Sequence, residues 1–255
     1  MIKVIILGFG NVGKHLYQAF SRTSEIEIIQ IYNRSPINLP EGFQTSFTKE
    51  ISQLKEADLY IIAVPDDSIK ELSETLPIKN KLVVHTSGSV SLNHLSDSNK
   101  KGVFYPLQTF SKNAEVDFKT IPICIEANNK EDLELLKQLG SFITDHVKEI
   151  NSNERKQLHL SAVFVNNFVN YLYQVGSDLL LENSLSFDLL KPLIKETANK
   201  IENLNPADSQ TGPAKRNDLK TIENHLHLLE GSPYKELYHK LTKSIQEKYN
   251  HGKKL

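Results

Sequence analysis

Few folds can accommodate the stretch IKVIILGFGNVGKHLYQAF at residues 2–20. Its first six residues are apolar or β-branched apart from Lys3 and stop at a glycine, which reads as a short buried strand. Gly8, Gly10 and Gly13 then keep a G-x-G-x-x-G spacing, while Val12, Leu16, Ala19 and Phe20 keep an apolar face at helical period. A strand, a tight turn and a helix in that order form the first half of a βαβ unit, and a second strand, Glu27 to Tyr32, follows at the right distance. In such a unit Gly8 permits the turn, Gly10 lets backbone approach a pyrophosphate, and Gly13 lets the helix pack closely on the strand. The free N–H groups at the start of that helix face the phosphates. Phe9, Asn11 and Val12 complete the candidate cofactor loop.

The run IIQIYNRS (residues 28–35) ends on three polar residues. In a dinucleotide fold the residue about 20 positions past the glycines meets the adenosine ribose: an acid binds the 2′-hydroxyl of NAD, while a nearby arginine accommodates the 2′-phosphate of NADP. That place falls on Asn33. The acid is missing, and Arg34 and Ser35 offer charge and hydrogen bonds to a phosphate, so the expected cofactor is NADP. Read without a ligand, Arg34 is a solvated loop residue.

The alternation continues through DLYIIAVP (58–65), KLVVHTSGSVS (81–91) and GVFYPLQTF (102–110), each a strand ending in a polar or Gly/Pro-containing loop. Asp67 is the expected N-cap of the helix after Pro65. Open α/β sheets bind ligands at such carboxyl ends, which makes Ala63, Val64, Pro65, Ser87, Gly88 and Gln108 candidate cofactor or substrate contacts. Ser87 and Ser89 can equally bond their own turn. His85 reads as a packed or solvent-edge histidine. The expected class is α/β: a Rossmann-type, mostly parallel sheet with helices on both faces over residues 1–150, followed by a smaller all-α domain over 151–255.

From Glu154 the period turns helical for nearly thirty residues without proline, apolar on most faces, which reads as a helix buried in a core or between subunits. At 100° per residue Arg155, His159, Ala162 and Asn166 share one polar stripe. Either this stripe faces the reacting groups, with His159 moving a proton, Asn166 orienting and Arg155 binding substrate, or it is a structural network between helices. Farther on, NPADSQTGPAKRND (205–218) is a polar loop in which Thr211 and Arg216 could bind an anionic substrate group or simply face solvent. Asp218 is the expected N-cap of the next helix, and the basic tail HGKKL is expected to be disordered.

With 30 basic and 31 acidic residues, no net field draws the chain to nucleic acid or to an anionic membrane surface. A single cysteine builds neither a disulfide framework nor a zinc site, and no histidine spacing suits a metal. No segment reaches the roughly 18 apolar residues of a membrane span, and glycine breaks the N-terminal run too early for a signal peptide. The expected setting is cytoplasmic.

Taken together, ILGFGNVG, NRS, AVPDDSI, HTSGSVS, FYPLQTFS, RKQLHLSAVFVNNF and QTGPAKRND resemble a bacterial family with a Rossmann-like N-terminal domain and a C-terminal helical domain of unknown function. That family is described as NADP oxidoreductases and is similar to pyrroline-5-carboxylate reductase, the 6-phosphogluconate and β-hydroxyacid dehydrogenases and the deazaflavin-dependent NADP reductases. The resemblance implies NADP at Gly8, Gly10, Gly13, Asn33, Arg34 and Ser35, with Ala63, Val64 and Pro65 passing beneath it. It also implies a homodimer through the helical domain and a small, unidentified substrate. The β-hydroxyacid dehydrogenases carry a catalytic lysine with an asparagine four residues on; here Lys156 is followed by Leu160, so that motif is not reproduced. The alternative expectation is a non-catalytic NADP sensor or assembly protein.

Overall fold

Eight strands build one sheet in the computed structural model, which describes residues 1–37, 45–112 and 115–250. They are β1 (Ile2–Leu7), β2 (Ile26–Tyr32), β3 (Ser46–Thr48), β4 (Leu59–Ile62), β5 (Leu82–His85), β6 (Lys100–Pro106), β7 (Ile123–Ala127) and β8 (Val147–Glu149). Their order is β3-β2-β1-β4-β5-β6-β7-β8, and every neighbouring pair is parallel except β6 with β7. The expected doubly wound sheet is therefore present, extended by two strands past an antiparallel step.

Side chains alternate across the sheet, so a strand buried on both faces must be apolar throughout. In β1, Val4 and Ile6 join one core with Leu16 and Phe20 of α1 (Asn11–Phe20) and with Leu136 and Leu139 of α3 (Lys130–Ser141). Ile5 and Leu7 join the opposite core with Ile69 of α2 (Asp66–Thr75). Helix α2 starts two residues earlier than the sequence suggests: Pro65 is its N-cap, and Asp66 and Asp67 lie in its first turn. Asp67 is thus no cap, although its charge still suits the positive helix end.

After β8, Asn151 begins α4 (Ser152–Ala162) with a capping box: its side chain accepts from the Glu154 N–H at 3.0 Å, and its own N–H donates to Glu154 at 2.9 Å. The helix passes through a π-helical segment, Val163–Phe168, into α5 (Val169–Leu181). By internal contacts the chain forms two compact units, Met1–Asn167 and Phe168–Leu255. The sheet thus ends near the expected boundary, while the compact unit holding it continues through α4.

The expected burial of the long apolar stretch is not met within one chain: Phe164 is 60% exposed and Val165 74%, and Phe168, Tyr171 and Leu172 are exposed as well. The second unit continues with α6 (Lys191–Asn203), α7 (Pro206–Ser209), α8 (Pro213–Arg216), α9 (Leu219–Leu228) and α10 (Lys235–Asn250). What reads in sequence as one polar loop thus folds into two short helices, α7 and α8, that bury Ala214. Asp218 caps α9 as expected, accepting from Thr221 N–H at 3.2 Å. The HGKKL tail lies outside the described residues. Among those described, no helix is long and apolar enough to cross a membrane.

Candidate functional site

Strand order reverses between β1 and β4, and a crevice opens there at their carboxyl ends. The two loops touch: Gly8 has φ +104°, and a β-carbon on it would lie 2.4 Å from the Ala63 carbonyl oxygen. A β-carbon on Gly13 would lie 2.2 Å from the Gly8 carbonyl oxygen, so α1 can sit this close to the turn only with glycine there. Gly10 differs from both. A β-carbon on it would meet nothing within 4 Å, so no protein neighbour accounts for the glycine. That open side is where a pyrophosphate would approach. Gly10 is also the N-cap of α1, with no side chain capping it and no acid in the first turn. Its leading N–H groups and positive dipole end are unopposed by any carboxylate there, as an anion site requires.

Asn33 stands where an NAD-binding acid would stand, and it stitches the turn instead. Its Oδ1 accepts from the Phe9 N–H at 3.1 Å and its Nδ2 donates to the Ser35 carbonyl at 2.9 Å. Phe9 turns its ring inward against Tyr17, and Val12 packs on the core, so these two shape the loop from behind. Asn11 donates to the Phe110 carbonyl at 2.9 Å. A cleft of about 240 Å³ collects Gly8, Asn33, Arg34, Ser35, Val64 and Pro65. Glu71 of α2, which carried no motif in the sequence, lines the same cleft. Seen against this geometry the residues fit a dinucleotide carrying an extra phosphate: exposed Arg34 is the cation, and Asn33 adds no negative charge.

Farther along the same sheet edge, the loop after β5 forms a serine turn. The Ser87 hydroxyl accepts from the N–H groups of Ser89 and Val90 at 3.1 and 3.0 Å, and the Ser89 hydroxyl donates to Asp66. Gly88 in this turn lies under His159: a β-carbon there would be 2.6 Å from His159 Nδ1 and 2.8 Å from Tyr105 Cζ. Tyr105, near the end of β6, places its hydroxyl 3.2 Å from His159 Nδ1, with the two rings edge to face. Only tertiary structure pairs them, since 54 residues separate them.

The polar stripe on α4 divides. Arg155 is fully buried and forms an ion pair with Glu126 of β7; its other terminal nitrogen donates to the Val90 carbonyl at 2.6 Å. It holds the serine turn from behind and offers no open face to a substrate. His159 is half-buried beside that turn. Asn166 is exposed in the π-helical segment, whose i→i+5 winding carries it off the arc that 100° per residue would give. Gln108 is exposed and accepts from its neighbour Thr109 N–H at 2.8 Å. Thr211 and Arg216 are exposed residues of the second unit. Tyr105 and Glu126 escaped the sequence reading. An acid closing the apolar strand ICIEA and an arginine on a greasy helix were the available signal that the two should pair.

His85 is packed, with no exposed surface, and its Nδ1 accepts from the Ser87 N–H at 3.2 Å. Burial, and secondarily the Arg155 charge, pushes its pKa down from 6.5 to about 3. Between those values the unfolded chain binds the proton and the folded one does not, so stability falls as pH drops below 6.5 and is unaffected above it. The expected loss is about 1.4 kcal/mol between pH 7.5 and 5.5, a figure insensitive to the folded value as long as it lies well below 5. Urea midpoints at the two pH values check this, and His85→Gln should remove the difference.

Comparisons with known proteins bear on the fold and the family. The family model described as NADP oxidoreductase, coenzyme F420-dependent, matches residues 3–88, and a domain of unknown function, DUF2520, matches residues 121–245. A solved structure of a putative NADP oxidoreductase from Bacteroides fragilis is 38% identical, with a TM-score of 0.85 over 96% of this chain and 98% of that one. A Thermotoga maritima protein, 23% identical, has a TM-score of 0.75 over 98% of this chain and 100% of its own. The pyrroline carboxylate reductase of Plasmodium falciparum, solved with NADP bound, is 15% identical, with a TM-score of 0.61 over 96% and 100%. These last two share the fold. No curated protein matches the chain. With 38% identity across nearly the whole of both chains, the protein belongs to the NADP oxidoreductase family represented by the Bacteroides fragilis structure.

Proposed function

We propose that this oxidoreductase transfers hydride between NADP(H) and a small carbonyl or imine compound, with His159 moving the accompanying proton. One observation carries the reading: the half-buried His159, held by Tyr105 over Gly88, stands at the same carboxyl edge of the sheet as the uncapped glycine turn. A titratable side chain beside a cofactor crevice is the arrangement proton transfer needs. Gly8, Gly10 and Gly13 with the α1 N–H groups would hold the pyrophosphate; Arg34 and Ser35, positioned by Asn33, would hold the 2′-phosphate. Ala63, Val64 and Pro65 would support the dinucleotide from β4, and Ser87 and Gly88 from β5. When bound, the cofactor supplies or accepts the hydride; the chain orients it and handles the proton. Gln108 and Asn166 would offer polar contacts to the substrate, while buried Arg155 acts through the serine turn it holds.

The exposed apolar side chains of α5, Tyr171 and Leu172 among them, support a homodimer through the second unit. The lone, buried Cys124 supports a reducing, cytoplasmic setting.

The test follows NADPH absorbance while purified protein meets ketones, aldehydes, 2-oxo acids and cyclic imines. Consumption with one class supports the reading, and none with any class would favour a cofactor-binding sensor. Cofactor choice is checked separately: Arg34→Ala should weaken NADPH binding roughly tenfold, as loss of one exposed charge-assisted contact implies, and leave NADH unchanged. Equal loss for both would remove Arg34 from the 2′-phosphate.

A further inference from the structure

The contact between Tyr105 and His159 does more than pack two rings. We infer that Tyr105 is a positioning residue that fixes the tautomer of His159, leaving the proton on Nε2 and making Nε2 the atom through which His159 works. The inference rests on the reading of His159 as the proton-moving group.

Either atom of a phenol–imidazole pair can be the donor, so the direction has to be argued from what each choice leaves over. Tyr105 is only 9% exposed, and its hydroxyl has no other partner among the described residues. Were Nδ1–H to donate to the phenol oxygen, the O–H of this largely buried side chain would itself lack an acceptor among the described residues. A buried donor left unmade costs more than a buried oxygen with a spare lone pair. The phenol therefore donates to Nδ1, and neutral His159 carries its hydrogen on Nε2. Burial reinforces this by pushing the Tyr105 pKa up to about 12, which keeps the hydroxyl protonated.

Sterics hold the same edge of the ring. Nδ1 and Cγ of His159 lie over Gly88, so close that a β-carbon there would fall 2.6 and 2.9 Å from them. With Nδ1 pinned between Gly88 and Tyr105, the opposite nitrogen has no protein partner among the described residues. His159 thus has one engaged nitrogen and one free one, as a side chain that exchanges a proton with a ligand requires. A third core, around Leu92, Val103, Tyr105 and Cys124, against which Leu158 of α4 packs, holds the Tyr105 ring in place.

The experiment is imidazole nitrogen NMR on the full chain, labelled at histidine and saturated with NADP⁺, with His159→Gln to assign the signals. The expected result is a His159 spectrum dominated by the Nε2–H form, by a factor on the order of ten. In Tyr105→Phe, which keeps the ring packing and loses only the hydroxyl, that ratio should collapse toward a mixture. Finding the proton on Nδ1 in the native chain, or an unchanged ratio in Tyr105→Phe, would overturn the inference. The native spectrum alone decides even if the variant does not fold. Failure of the underlying reading shows differently: His159→Ala retaining full NADPH turnover while Tyr105 still sets the tautomer would remove the proton role and leave the contact standing. Where both hold, Tyr105→Phe lowers kcat roughly ten- to hundredfold with the KM for NADPH unchanged.

Discussion

His159→Ala is expected to bind NADPH as tightly as the native chain and to lose roughly a hundred- to ten-thousandfold in turnover, the range that a positioned general acid or base contributes. The two readouts separate because the groups that would hold the dinucleotide phosphates lie at the ends of β1 and β2, whereas His159 sits on α4 over the loop after β5. Half-buried on a helix surface, the ring contributes to packing through its edge contact with Tyr105 and its seat over Gly88, so the stability cost should stay at about 1 kcal/mol. Titration with NADPH, steady-state turnover and a urea curve together decide the matter. Unchanged turnover would remove His159 from the reaction, and collapse of NADPH affinity would make it a structural residue.

Glu126→Ala should destabilise the first unit by about 3–5 kcal/mol, the cost of stripping one partner from a buried ion pair. Arg155 would be left charged with no exposed surface, and burial of an uncompensated cation is what makes the loss large. The pair is also the centre of a wider network. Ser152 donates to Glu126 through its N–H at 3.0 Å and its hydroxyl at 2.9 Å, and its oxygen accepts from the Leu92 N–H at 3.1 Å. Loss of Glu126 therefore loosens the start of α4 and residues 90–92 together, which hydrogen exchange in that loop should register. Replacing both residues with methionine should recover most of the stability, since an apolar pair leaves no charge behind. The chain has no tryptophan, so circular dichroism is the natural probe of the transition. A Glu126→Ala loss below about 1 kcal/mol would mean that solvent reaches Arg155 in solution.

These two outcomes bear on different kinds of legibility. The glycine turn, the missing acid at Asn33 and the parallel strands could be read from residues alone, because each rests on chemistry within a few residues. Gly8 is glycine because of its own φ of +104°, and a strand buried on both faces announces itself by composition. The stripe on α4 was also visible as an anomaly, three polar groups on a greasy helix. What each group does there was not visible. Periodicity places Arg155 and His159 on one face but cannot say what that face meets, and it assumes a helix that winds evenly, which the π-helical segment before α5 does not.

Tertiary structure decided the rest. It sent Arg155 inward to Glu126, 29 residues away, and set His159 against Tyr105, 54 residues away. Such pairings depend on how the chain returns across the sheet, and no local period encodes that return. Cofactor binding was legible because a dinucleotide is gripped by backbone geometry in one βαβ unit. The contact between Tyr105 and His159 was not, because it is assembled from a strand end, a turn and a helix that meet only once the sheet has formed.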